Sequence, residues 1–151
     1  MKKIWVNGSF DVLHIGHIRL LEYASTLGSV KVGIDSDERI KKFKGPNRPF
    51  NSLDDRAEFL RSIKYIDSVD VFDTTERLVD LIKQYQPDYM VIGSDYKDRP
   101  IVGSEFIKEI IYFNRIENKT DCFTKNMNTI IGSITGFISI ITLWNIIQYY
   151  W

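Results

Sequence analysis

One stretch decides the fold that this sequence predicts: Asn7-Gly8-Ser9-Phe10-Asp11-Val12-Leu13-His14-Ile15-Gly16-His17. The mainly apolar residues 3–6 before it indicate a short buried strand, and residues 18–24 after it indicate a helix. A helix start leaves its first backbone N–H groups unpaired and carries the positive end of the helix dipole, so it can bind a phosphate. Gly8 lets a ligand approach the main chain, and Gly16 clears space beside the helix start. The stretch is therefore predicted to be a strand-to-helix turn that binds an anion.

Two histidines, His14 and His17, are the only ones in the chain, and both lie within one turn of the predicted helix start. We expect their imidazole rings to face one phosphate chain. A structural role is the alternative for either ring. Two histidines without a nearby Cys, His, Asp or Glu cluster fall short of an ordinary metal site, so no metal site built from protein side chains is predicted.

The pattern G-x-F-D-x-x-H-x-G-H after a short N-terminal strand resembles the cytidylyltransferase-like nucleotidyltransferase family. It is more specific than a G-x-G-x-x-G pattern, because it fixes six positions within ten, whereas that pattern fixes only three glycines. The resemblance implies that His14 and His17 are catalytic and that Asp11 binds the substrate. The nucleotide-binding residues that it implies in this turn are Gly8, Ser9, Phe10 and Gly16.

Composition places limits on the function. The chain has 151 residues, 44% hydrophobic and 26% charged, which is an ordinary mixture for one globular domain. Its 20 basic and 20 acidic residues cancel, so no DNA or RNA binding is expected. The single Cys122 excludes an intrachain disulfide and suits a reducing compartment, and the first residues do not resemble a signal peptide. A cytoplasmic location is therefore predicted.

The chain up to residue 120 alternates predicted strands and helices. Further strands are predicted at residues 30–35, 69–72, 88–92 and 110–113, and helices after Ser52 and at Thr74 or Thr75. A right-handed crossover makes consecutive strands parallel and places the histidine turn at the carboxyl edge of the sheet. We therefore predict an α/β domain over residues 1–120, with a Rossmann-like parallel sheet of about five strands and flanking helices.

A polar stretch, residues 36–51, is predicted to be an ordered basic loop. One part of it resembles the K-G-x-x-R-P-x-N segment of bacterial heptose-1-phosphate adenylyltransferases, namely Lys44-Gly45-Pro46-Asn47-Arg48-Pro49-Phe50-Asn51. The resemblance implies that Lys44 and Arg48 bind substrate phosphates and that Lys44 also acts in catalysis. A solvated charged loop is the alternative.

Arg56 lies in the first turn of the helix after Ser52, where a cation opposes the helix dipole. A surface salt bridge is one explanation. The other comes from the resemblance, because related enzymes carry an arginine of a D-x-R pattern near the nucleotide phosphates.

The stretch Gly93-Ser94-Asp95-Tyr96 follows a predicted strand, and with residues 101–105 it resembles the G-G-D-Y and I-x-G-S segments of the same adenylyltransferases. The resemblance implies that Gly93 and Asp95 bind the nucleotide, and ordinary turn residues are the alternative. Family members place an S-T-T or S-S-T cluster after the last strand. Here only Thr120, with Lys119 beside it, could replace those hydroxyls, which makes Thr120 a nucleotide-binding candidate.

The reaction that the resemblance implies is transfer of a nucleoside monophosphate, AMP being favoured, from a nucleoside triphosphate to a sugar phosphate in sugar nucleotide biosynthesis. Pyrophosphate leaves, Mg²⁺ accompanies the triphosphate, and a homodimer is expected because related enzymes are commonly dimers. One alternative is a cytidylyltransferase that acts on glycerol phosphate or a related alcohol phosphate. Another is a nucleotide-binding or membrane-attached protein that has lost catalysis.

The end of the chain, residues 121–151, forms an apolar tail without a charged side chain from Asn126 to Trp151. About 20 apolar residues suffice to span a bilayer, so an apolar C-terminal helix that anchors the protein to a membrane is one interpretation. Gly132 and Gly136 would form a G-x-x-x-G packing face. The alternative interpretations are a helix packed on the sheet, a contact in a dimer, and a tail translated from a different reading frame.

Overall fold

The computed structural model of the protein describes residues 1–114, in which five strands alternate with four α-helices. The strands are β1 (Lys3–Gly8), β2 (Ser29–Asp35), β3 (Ser68–Phe72), β4 (Tyr89–Gly93) and β5 (Glu109–Phe113). The helices are α1 (Ile15–Leu27), α2 (Asp37–Lys44), α3 (Leu53–Arg61) and α4 (Thr75–Tyr85). Two single-turn 3₁₀ helices, Ser94–Tyr96 and Ser104–Phe106, lie between β4 and β5.

The five strands form one parallel sheet in the order β3-β2-β1-β4-β5. The strand order reverses between β1 and β4, and this is the point at which open α/β sheets bind ligands. β1 pairs with β2 along its whole length, but its pairing with β4 covers only Ile4 opposite Tyr89 and Trp5 opposite Met90. The ladder between β1 and β4 therefore ends before their carboxyl ends, where the two strands are not paired with each other.

Side chains along β1 alternate between the two faces of the sheet and enter two separate hydrophobic cores. Ile4 packs in one core with Leu21 of α1 and Leu60 of α3. Trp5 packs in the other with Ile82 of α4. All five of these side chains are fully buried, and each such burial contributes about 1.5–3 kcal/mol. Helices therefore cover both faces of the sheet and leave its carboxyl edge for the histidine turn.

The predicted loop at residues 36–51 is wrong in its first half, because residues 37–44 form α2. The Ser36 hydroxyl caps this helix by accepting from the Arg39 N–H at 3.2 Å. Acidic residues occupy its first turn and lysines its last, an arrangement that matches the helix dipole. Ile40 is its single buried hydrophobic side chain, so the hydrophobic periodicity that reveals most helices is nearly absent.

The predicted caps of the later helices are confirmed, since Ser52 caps α3 and Thr74 caps α4 through their side-chain oxygens. Helix α1 begins at Ile15, earlier than the predicted residue 18, with His14 as its cap. His17 therefore lies inside the first turn of α1.

The predicted α/β class with a five-stranded, Rossmann-like parallel sheet is confirmed. The apolar C-terminal helix, the tail at residues 121–151 and Thr120 lie outside the described residues. Within residues 1–114, every helix is too short or too polar to cross a bilayer.

Candidate active site

The histidine pair starts α1 and is held by its own hydrogen bonds. The N–H of Gly16 donates to His14 Nδ1 at 3.0 Å, and the N–H of His14 donates to His17 Nδ1 at 3.4 Å. The two rings stack with their centroids 3.9 Å apart and an angle of 27° between their planes. Because Nδ1 of each ring accepts, the neutral tautomer carries its proton on Nε2. Each ring thus presents an Nε2–H donor at the positive end of α1.

Glycine at position 16 makes this arrangement possible. A Cβ added there would lie 2.8 Å from Cε1 and 2.9 Å from Nδ1 of the His14 ring, so any side chain would displace the ring. Phe10, only 5% exposed, packs against His17 with ring centroids 5.2 Å apart. Its φ of 46° lies in the left-handed region that non-glycine residues seldom occupy. The predicted nucleotide-binding residues Gly8, Ser9, Phe10 and Gly16 therefore shape one constrained turn around the two histidines.

Lys44, the last residue of α2, reaches back to this turn. Its Nζ donates to the Ser9 hydroxyl oxygen at 2.9 Å. Burial, together with the nearby Arg48 charge, lowers the pKa of Lys44 below its ordinary value. Among residues 1–114 it forms no ion pair, whereas Arg48 and Arg56 each contact a carboxylate. Lys44 is thus a partly buried cation held by a neutral hydroxyl, which suits it to bind an incoming phosphate.

Asp11 organises the loop that follows α2. The backbone N–H groups of Phe50 and Asn51 donate to its Oδ1 at 2.8 and 3.0 Å, and the Asn51 side-chain amide donates to its carbonyl oxygen. Arg48 Nη2 lies 2.8 Å from Asp11 Oδ2, and both side chains are almost fully buried. The guanidinium of Arg48 also stacks on the Phe50 ring, 4.3 Å from its centroid. Asp11 and Arg48, both predicted to bind substrate, are therefore brought together, and direct substrate contact by either stays a prediction.

Arg56 is fully buried, so a surface salt bridge does not explain it. Its guanidinium donates to four acceptors on three separate segments of the chain. These are Ser9 O at 2.7 Å, Asp35 O at 2.9 Å, Asp37 Oδ1 at 2.7 Å and Asn51 O at 3.2 Å. The predicted contact of Arg56 with nucleotide phosphates stays a prediction.

Two carboxylates at this edge, Asp35 and Asp37, were not among the residues predicted from the sequence. Asp35 ends β2 and accepts from Arg39 Nε at 2.7 Å, and burial raises the pKa of its carboxyl group while Arg39 opposes that shift. Asp37 begins α2 and binds Arg56. The available sequence signal was the position of Asp35, an acidic residue directly after a buried strand, where ligand-side loops begin.

Gly93 ends β4, the strand next to β1, and Asp95 follows it, so both lie at the same edge of the sheet as the histidine turn. A Cβ added to Gly93 would collide with Oδ1 of Asp95, so glycine allows the carboxylate to fold back over the strand end. Asp95 is exposed. A separate cavity of about 290 Å³ borders Lys3 and Tyr85 and contains none of the predicted site residues.

The site thus combines a parallel α/β sheet, unpaired strand ends at its reversal point and a strand-to-helix turn with two stacked histidines. Residues 5–131 match the cytidylyltransferase-like family, so the chain belongs to the cytidylyltransferase-like family. The family predicted from the motif is confirmed, and the nucleotidyltransferase class follows from it.

Two relatives carry the name Bifunctional protein HldE. The protein of Campylobacter fetus subsp. fetus (strain 82-40) is 40% identical over 130 residues, and that of Campylobacter concisus (strain 13826) is 42% identical over 120 residues. The matches cover 85% and 79% of this chain but 28% and 25% of those proteins, so the chain spans about a quarter of their length.

The crystal structure of the lipopolysaccharide core biosynthesis protein from Thermoplasma volcanium GSS1 has a similar fold, with a TM-score of 0.61. It is 19% identical and covers 79% of this chain and 99% of its own. At this level of identity the likeness shows the fold alone.

Proposed function

We propose that this protein transfers a nucleoside monophosphate, AMP from ATP being favoured, to a sugar phosphate and releases pyrophosphate. The observation that carries the proposal is the stacked pair His14 and His17 at the start of α1, with Lys44 bound to the same turn. The HldE relatives support an activity of this kind. The segment from Lys44 to Asn51 favours a sugar phosphate over glycerol phosphate, because it resembles the adenylyltransferases that act on heptose 1-phosphate.

The chemistry needs positive charge and hydrogen-bond donors. An oxygen of the acceptor phosphate attacks the α-phosphorus and forms a new P–O bond. The bond from that phosphorus to the bridging oxygen breaks, and its electron pair leaves with pyrophosphate. The acceptor is already an anion at neutral pH, so a protein base is unnecessary. Donors aimed at the oxygens where negative charge develops lower the barrier, and Nε2–H of His14 and His17, at the positive end of the α1 dipole, are such donors.

Two roles follow for the remaining residues. Lys44 would hold the acceptor phosphate, exchanging its bond to the Ser9 hydroxyl for bonds to phosphate oxygens. Asp11 and Arg48 would keep the loop at residues 48–51 in place beside the acceptor. Gly93 and Asp95 on the neighbouring strand end, and Thr120, would complete the nucleotide site.

Mg²⁺ would enter bound to the triphosphate. Over residues 1–114 the protein offers no group of three or more side chains suited to hold a metal ion. Such a site fits Mg²⁺, which commonly keeps several waters and binds substrate phosphates with one or two carboxylates at most. Bound in this way it would neutralise charge on the triphosphate.

A screen of pyrophosphate release tests the proposal. ATP and CTP are each combined with a sugar 1-phosphate, glycerol phosphate and choline phosphate, with nucleotide binding measured in parallel by titration. We expect the fastest release from ATP with the sugar 1-phosphate. Faster release from CTP with glycerol phosphate would make the protein a cytidylyltransferase. Nucleotide binding without release from any pair would make it a protein that has lost catalysis.

A cytoplasmic homodimer is the state in which we expect the enzyme to act. Both parts of this expectation come from the sequence and the family resemblance. Analytical ultracentrifugation of the full chain measures the oligomeric state.

A further inference from the structure

Arg56 is buried inside the wall of the site rather than on its surface. Four of the five N–H donors of its guanidinium are used by protein acceptors within the described range. Its side chain is fully buried. Arg56 therefore has little capacity left to bind a substrate, and its main effect is on the segments that it joins.

Both ends of α2 are tied to one residue of the histidine turn. At its beginning, Asp37 binds Arg56 Nη2, and Arg56 Nη1 binds the carbonyl oxygen of Ser9. At its end, Lys44 binds the hydroxyl oxygen of Ser9. An eight-residue helix is a rigid rod about 12 Å long, so fixing its beginning also fixes the direction from which Lys44 approaches.

We propose that Arg56 is a positioning residue, which holds α2 against the histidine turn so that Lys44 meets the acceptor phosphate there. The role assigned to Lys44 rests on the proposed function, whereas the positioning itself is a property of the fold. This proposal is an alternative to the contact with nucleotide phosphates that the resemblance implies for Arg56. Its effect on the reaction passes through Lys44.

Substitution by lysine separates position from charge. Arg56→Lys keeps one positive charge but replaces the planar fork, which reaches several carbonyl oxygens at once, with a single ammonium group. The matched control is Arg39→Lys, since Arg39 is also an arginine paired with a carboxylate, although it is only partly buried, and it lies on α2 itself. Its bonds run to Asp35 and Thr75 and leave the histidine turn untouched.

A double-mutant cycle with Lys44→Ala tests the route of the effect. The kcat/KM for the acceptor is measured for each variant with and without Lys44, and circular dichroism gives the folded fraction. We expect Arg56→Lys to lower kcat/KM about tenfold or more in the presence of Lys44 and less than about threefold in its absence. Arg39→Lys should have equal effects in both backgrounds. An undiminished effect of Arg56→Lys without Lys44 would overturn the proposal.

A second measurement does not depend on activity. Acetylation of Lys44 by acetic anhydride is followed by mass spectrometry, with the exposed Lys42 of the same helix as internal reference. We expect Lys44 to be labelled several-fold faster relative to Lys42 in Arg56→Lys than in the wild type and in Arg39→Lys. Asp37→Asn, which replaces the carboxylate partner of Arg56 with a neutral amide and leaves the other three acceptors in place, should raise labelling in the same direction and replaces Arg56→Lys if that variant fails to fold.

The outcomes separate the two proposals. Unchanged relative labelling of Lys44 in both Arg56→Lys and Asp37→Asn would overturn the positioning role whatever the enzyme does. Faster labelling of Lys44 in the variants, together with no pyrophosphate release by the wild-type protein, would support the positioning role and reject the proposed function.

Discussion

The ring of His14 stacks on that of His17 at 3.9 Å, and the backbone N–H of His14 also donates to Nδ1 of His17. Each histidine therefore helps to orient the other, and Gly16 donates to the pair from the same turn of helix. The two side chains form one unit at the start of α1, and their substitution should not have independent effects.

His14→Ala and His17→Ala should each lower kcat about 10²-fold or more, because each removes a donor from the charge that develops in the transition state. The double variant should be little worse than either single one, as is found for residues that act as a unit. Pyrophosphate release measures all three.

Asparagine at position 14 separates catalysis from helix capping. Asn is a good N-cap, whereas loss of a cap costs about 1 kcal/mol, so His14→Asn should unfold near the wild-type temperature and His14→Ala below it. Both should lose activity. Near-normal turnover in either position-14 variant would make His14 structural.

Lys44→Ala should raise KM for the acceptor more than KM for the triphosphate. Lys44 lies at the end of α2, next to the loop proposed to lie beside the acceptor, and from there it reaches the histidine turn. Lys42→Ala provides the control, because Lys42 lies on the same helix and is exposed. A raised KM for the triphosphate with an unchanged KM for the acceptor would reverse the assignment.

The lowered pKa of Lys44 predicts the direction of the pH dependence. The lysine loses its charge at a pH below the ordinary lysine value of 10.5, so kcat/KM for the acceptor should decline on the alkaline side below that value. Lys44→Arg should keep its charge and move this decline to higher pH.

The same pKa shift affects the pH dependence of stability in the opposite direction. Between the folded-state pKa and 10.5 the unfolded chain binds more protons at this residue, so its contribution to stability increases with pH.

Local sequence patterns were sufficient for the strands and for the histidine turn, because a short apolar run before a glycine and a helix start is recognisable without tertiary contacts. They were insufficient for α2, whose charged residues look like a loop and whose buried face is Ile40. They were also insufficient for Arg56. Its acceptors at Ser9, Asp35 and Asp37 lie 47, 21 and 19 residues away in sequence, so only the folded chain brings them together.

Asp11→Asn should destabilise the fold by roughly 3–5 kcal/mol, because it removes the carboxylate that lies against the buried guanidinium of Arg48. Urea unfolding followed by circular dichroism measures the change. Asp70→Asn is the matched control, since Asp70 forms a partly exposed pair with Lys31 and should lose no more than about 1 kcal/mol. Equal losses in the two variants would contradict a special role for the Asp11 pair.

The apolar sequence from Asn126 to Trp151 leads to a prediction about the whole chain. If the tail is a membrane anchor, the full-length protein should fractionate with membranes and resist extraction by high salt, and a protein ending at Lys125 should be recovered without detergent. Recovery of the full chain without detergent would remove the anchor and leave the interpretations of a packed helix or a dimer contact.

The early end of the ladder between β1 and β4 affects how mutations in this protein are to be read. The paired part of the two strands contains side chains of both cores, such as Ile4 and Met90, directly before the point where the ladder ends. A methyl group removed there would alter the spacing of groups that it never touches. Substitutions of these core residues should therefore change activity as well as stability. Directed evolution of this enzyme should accordingly include positions in its interior.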